Sequence, residues 1–176
     1  MPADDPIREL ALAALDADAQ ARALLTPGGT PARISFADLY RYANDPDFVL
    51  SPECAARLAA DDAAQADLAR LLTVGAFAHM PRQAAAASGS VVRRETERAV
   101  LSLTSSRAAA DEVYLGVELR DADARPPTHL FAGRAGQAWL RLALPPFSGG
   151  HAQVLLNAEA DIARALADPE TEVYLR

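Results

Sequence analysis

The sequence contains no lysine: all 17 of its basic residues are arginine, set against 24 acidic ones. Together with the abundance of alanine we read this as genome composition, such as high GC content, rather than as function. One physical consequence remains, because arginine offers carboxylates a planar fork of donors where lysine offers a mobile point charge. Net positive charge is lacking as well. A formal charge of −7 and an isoelectric point near 4.9 argue against a nucleic-acid partner, which needs concentrated cationic surface. Divided after Ser90, the chain has 7 arginines against 12 acids, then 10 against 12, so neither half is a basic module. The local cluster Arg93, Arg94 and Arg98 is interrupted by Glu95 and Glu97, the pattern of a solvated linker or strand edge.

Cysteine is nearly absent. With Cys54 alone no intramolecular disulfide forms, which fits a reducing compartment. No leader is expected either, since the opening Met1-Pro2-Ala3-Asp4-Asp5 is acidic where a signal peptide would be basic. No apolar run approaches the ~20 residues that span a bilayer, and the best candidate, Leu71 to Met80, is about half that length. The expectation is a cytoplasmic protein with neither membrane nor nucleic acid as partner.

Signatures of chemistry are equally sparse. Metal sites betray themselves by short ligand spacings, whereas Cys54, His79, His129 and His151 are dispersed, so no metal and no cofactor are expected. Cys54 reads as a small core residue on a helix face. Ser148-Gly149-Gly150-His151 places a hydroxyl near an imidazole, but it lacks Gly-x-Ser-x-Gly and reads as a strand connection. Asp45-x-Asp47, Asp61-Asp62 and Asp121-x-Asp123 are candidate paired carboxylates that more simply cap helices or occupy turns. No catalytic residue is assigned, and a non-enzyme is expected.

What is there suffices for a core: 176 residues, 51% of them hydrophobic, can hide roughly two-thirds of the unfolded surface. Asp5-Pro6 opens a helix whose face runs Ile7, Leu10, Ala14, Ala21, Leu24 and Leu25 until Pro27-Gly28-Gly29. Ser35 caps a short second helix through Phe36, Leu39, Tyr40 and Ala43, closed by Asn44-Asp45-Pro46. Ser51-Pro52-Glu53 opens a third that continues through Cys54, Leu58, Leu68, Leu71 and Leu72, either as one long helix or as two divided at Asp61-Asp62. Periodicity dissolves from Pro81 to Thr96.

Beyond that stretch the period becomes two. Val113, Leu115, Val117 and Leu119 alternate with polar or small neighbours, and similar runs occur at 99–104, 128–132, 137–144, 151–156 and 171–176. A short helix is expected from Ala158 to Ala167. Gly133-Arg134-Ala135-Gly136 reads as a tight hairpin, and Pro145 to Gly150 as a looser one. The predicted fold is α+β: a helical N-terminal half (1–80), a linker (81–96), and a β-rich domain (97–176) formed by a mainly antiparallel sheet or small sandwich, with one short helix before the last strand. Glu-Val-Tyr-Leu occurs at 112–115 and again at 172–175, as two similar strands of one sheet would.

Trp139 and Arg141 lie opposite Ala138, Leu140, Leu142 and Leu144 on their strand. If that face is solvent-side they form a protein-binding anchor, since Trp and Arg are enriched in such anchors; alternatively the helices cover it.

Asp38-Leu39-Tyr40-Arg41-Tyr42, Leu50-Ser51-Pro52-Glu53, Leu58-Ala59-Ala60-Asp61 and Leu68-Ala69-Arg70-Leu71 together resemble the helical N-terminal segment of the bacterial anti-sigma-factor-like proteins. The resemblance covers residues 38–72. The zinc signature of that family, His-x-x-x-Cys-x-x-Cys, is absent, so the resemblance implies a zinc-free, untethered regulator. The expected function is non-enzymatic protein interaction or regulation, with another protein as partner in a homo-oligomer or hetero-complex. The alternatives are a subunit of a larger assembly and an accessory subunit of an enzyme.

Overall fold

The computed structural model describes residues 34–83 and 93–176; the helix expected over 5–26 and most of the expected linker lie outside them. Three helices open the described chain. α1 spans Phe36–Asn44, α2 Pro52–Ala60 and α3 Asp62–Gly75. The hydroxyl of Ser35 accepts from the Asp38 amide and that of Ser51 from the Cys54 amide, which fixes the first turns of α1 and α2. Asp61 settles the one-or-two question. Its Oδ1 accepts the amides of Ala63 at 3.0 Å and Ala64 at 3.1 Å, so it caps α3 as α2 ends.

The described strands are β1 (Ala78–Met80), β2 (Arg93–Glu95), β3 (Ala99–Ser105), β4 (Glu112–Leu119), β5 (His129–Gly133), β6 (Leu140–Ala143), β7 (His151–Asn157) and β8 (Glu172–Leu175), with α4 (Asp161–Ala167) before the last. They form two antiparallel four-stranded sheets, ordered β1-β8-β5-β6 and β2-β3-β4-β7. The fold is α+β, and the residues Met80, Leu130 and Val173 of the first sheet pack against Leu101, Leu115 and Val117 of the second. α4 adds Ala163 and Leu166 to that core.

A second core lies on the other face of the first sheet. Leu39, Tyr42, Leu58, Leu68 and Leu72 from the helices meet Phe131 and Tyr174 from β5 and β8. Strand register explains which side chains the helices meet: His79, Tyr174, Phe131 and Arg141 are opposite one another across all four strands, so their side chains share one face. Tyr42 meets Phe131 edge-on with centroids 5.6 Å apart, and His79 stacks on Tyr174 at 4.3 Å.

Several expectations require correction. Residues 78–80, placed in the helical region, form an edge strand paired with β8, and residues 93–95 of the linker form a strand paired with β3. Three residues are too few for alternation to register. The hairpin expected after Gly133 is present between β5 and β6, with a longer connection, 134–139, that contains a turn in which the Gln137 amide donates to the Arg134 carbonyl at 3.1 Å and Gly136 has φ 73°. Pro145 to Gly150 is not a hairpin, since β6 and β7 lie in different sheets; a tight turn at Gly149-Gly150, with φ values of 56° and 81°, bridges only Ser148 and His151. The two Glu-Val-Tyr-Leu segments lie in different sheets, β4 and β8, where each sends its Val and Leu into the shared core.

Candidate functional site: an arginine-lined crevice

The last carbonyls of a helix lack intrahelical donors and carry the negative end of its dipole. At the end of α1 two arginines from distant parts of the chain supply both donors and charge. Arg141 of β6 donates from Nη1 to the carbonyls of Tyr42 (3.2 Å) and Asp45 (3.0 Å), and from Nη2 to that of Phe48 (2.6 Å). Arg176 donates from Nη1 to the Ala43 carbonyl at 2.8 Å and from Nη2 to Asn44 Oδ1 at 2.9 Å. Its guanidinium lies so close over Gly75 that a Cβ there would overlap it.

Beside this pair opens a crevice of about 440 Å³, bounded by the ends of α1 and α3 and by residues 125–129. Arg98 and Arg125 add two further guanidiniums, and both are exposed. Arg98 sits over the ring of Phe77, 4.1 Å from its centroid. Asp45 is the acid among the described lining residues, and its carboxylate already accepts the Asp47 amide at 3.0 Å. Four arginines and one acid thus line the crevice among the described residues, and that acid, Asp45, lies 4.0 Å from Arg41.

His129 registers that field. Burial lowers its pKa from 6.5 and the charge of Arg141 lowers it further, with Asp47 opposing. Thr128 Oγ1 lies 2.9 Å from its Nδ1. Since the folded state holds the proton less tightly than the unfolded one, the unfolded chain binds more protons below the ordinary value, and stability should rise with pH up to about 6.5. Urea midpoints measured across that range should climb in the wild type and flatten in His129→Gln; a parallel climb in both would assign the dependence elsewhere.

Trp139 is half-buried against the helical core, 5.9 Å from Tyr174 between ring centroids, and its carbonyl accepts from the Tyr42 hydroxyl at 3.4 Å. Alternation ordered this strand correctly: Leu140, Leu142 and Leu144 turn to the inter-sheet core while Trp139 and Arg141 turn to the helices. The face they share packs on the helical layer, where Arg141 donates to the end of α1 and to the segment after it. Ala138 alone departs, being exposed in the turn.

Cys54 is half-buried against the helical core. Ser148 and His151 meet only through their backbones, with amide-to-carbonyl distances of 2.9 and 3.0 Å. Among the described residues no three His, Cys, Asp or Glu side chains converge as a metal site would require. Asp121, like Asp45, accepts the amide two residues on.

Sequence reading missed Arg98, Arg125 and Arg176, which are scattered among arginines that look alike on paper. Comparison with protein-family models, with characterised proteins and with solved structures returned no match.

Proposed function

We propose that this protein is a non-enzymatic interaction or regulatory protein that engages another protein through the arginine-lined crevice and the helix ends around it. The observation that supports this reading is the pair Arg98 and Arg125: both are exposed at the mouth, and neither forms an ion pair with a described residue. Exposed Val74, at the end of α3, and Val49, after α1, add apolar surface at the same end of the helical layer. A charged fork beside apolar surface is the composition of a binding patch. The finer form of the reading is an untethered anti-sigma-like regulator. It rests on residues 38–72, which cover most of α1, all of α2 and most of α3, and it expects a sigma factor as partner.

The test is a charge reversal. Arg98→Glu combined with Arg125→Glu alters two exposed side chains, so the fold should survive within about 1 kcal/mol. Affinity capture from extract of the protein's own cells, followed by mass spectrometry, should recover a partner on the wild type and lose it by roughly tenfold or more on the double variant. Identical partner sets on the two proteins would sink the proposal.

A further inference from the structure

We infer that the part of the partner entering the crevice is an extended acidic peptide segment with at least two carboxylates, held by Arg98 and Arg125 at the rim. This rests on the interaction reading just given and narrows it to a ligand chemistry. The four guanidiniums are not equivalent. Arg141 and Arg176 donate to carbonyls and an amide oxygen at the end of α1 and in the segment that follows it, so they contribute positive potential more than open forks. Arg98 and Arg125 contribute the forks, and both are exposed.

That arrangement discriminates between occupants. A small oxyanion drawn to the half-buried pair would find their donors turned toward α1. An anion using the open forks must sit at the rim, where solvent competes for a single charge. Two anionic groups on one backbone overcome that competition by making the second contact intramolecular. The forks come from separate connections, Arg98 between β2 and β3 and Arg125 between β4 and β5, which favours two carboxylates over one bidentate group. Between the charged groups, Phe77 and the Pro126-Pro127 pair line the crevice with apolar surface, suited to the aliphatic stems of an extended chain. A volume of about 440 Å³ lies within the range of sites that enclose a small ligand or a short peptide. On a protein of charge −7, the concentration of four arginines at this crevice is a local positive region that steers an acidic segment toward it.

The experiment titrates the whole protein with a capped peptide of about six residues, alternating Glu and Ala and long enough in extended form to cross the rim. Its Gln counterpart and inorganic phosphate are run beside it. Calorimetry gives affinity, and the imidazole resonances of His129 report occupancy at the site. The Glu peptide should bind, raise the His129 titration midpoint, and weaken by roughly tenfold or more when Glu is replaced by Gln or when added salt screens the contacts. The Arg98→Gln/Arg125→Gln variant, checked for an unchanged thermal midpoint, should show the same loss. Were that variant to melt early, the two single variants serve, each expected to lose part of the affinity. Phosphate moving His129 as strongly as the peptide at equal concentration would overturn the inference, as would binding that survives the Gln peptide, or no binding at all. Partner capture that depends on Arg98 and Arg125 without peptide binding refutes the acidic segment and leaves the interaction reading intact. Peptide binding without a crevice-dependent partner does the reverse.

Discussion

Arg94→Met should destabilise the protein by about 2–4 kcal/mol, an unusually large effect for a residue in a three-residue strand. Arg94 lies on the inward side of β2 and is only 1% exposed. Its Nη1 donates to the Thr171 carbonyl at 2.9 Å, and its Nη2 to the carbonyls of Asp168 at 2.6 Å and Leu166 at 3.4 Å. Those carbonyls belong to the end of α4 and the turn into β8, so one guanidinium caps the helix and ties β2 to the final strand. Burial pushes its pKa down and Asp168 opposes, but an arginine remains charged in a protein. Methionine preserves much of the volume and removes every donor, leaving the Leu166 and Thr171 carbonyls without this partner at roughly 1–3 kcal/mol each, while the Asp168 carbonyl keeps the Thr171 amide at 3.1 Å; the loss is partly offset because no charge and no unpartnered Nε is then buried. Urea denaturation should show a lower midpoint at unchanged slope. A shift below about 0.5 kcal/mol would mean that water reaches the carbonyls freely.

Trp139→Ala is expected to cost about 3 kcal/mol of stability. The indole lies across Gly133, where a Cβ would enter the ring, and beside Tyr174. Trp139 is half-buried, which holds the figure toward the low end of the range for truncating a buried aromatic. Its Nε1 is buried without a hydrogen-bond partner among the described residues, a cost that the packing offsets and that truncation would relieve. A thermal melt and a partner-capture assay on the same variant separate a packing role from a contact role. Unchanged stability with lost capture would return Trp139 to the anchor role that alternation first suggested.

Much of the fold was legible in the sequence because its signals are local. Ser35, Ser51 and Asp61 announce helix starts through side chains that can accept their own amides, and all three do so. β4 was legible from seven-residue alternation, and β3, β5 and β7 from shorter runs. β1 and β2 were not, since three residues carry no usable period and their identity as strands depends on partners far away, β8 and β3. The partition of Glu-Val-Tyr-Leu into two sheets was illegible for the same reason. Each copy states its own alternation and says nothing of its neighbours. The crevice lay deepest in the tertiary structure. Arg98, Arg125, Arg141 and Arg176 share no spacing, and only the closure of the first sheet by β8 brings Arg176 beside the end of α1.

The position of β8 also sets the timetable of assembly. It lies between β1 and β5, and Val173 pairs with Met80, so a strand made early in synthesis must wait for one made some ninety residues later. Until β8 leaves the ribosome, β1 lacks its hydrogen-bonding neighbour and the helices lack Tyr174 as part of their floor. The nascent chain therefore passes through an interval in which its apolar helix faces and an open strand edge are unprotected, the condition under which chains aggregate or recruit chaperones. Insertion of β8 completes both cores in one step and couples the folding of the helices to a strand made some ninety residues after β1.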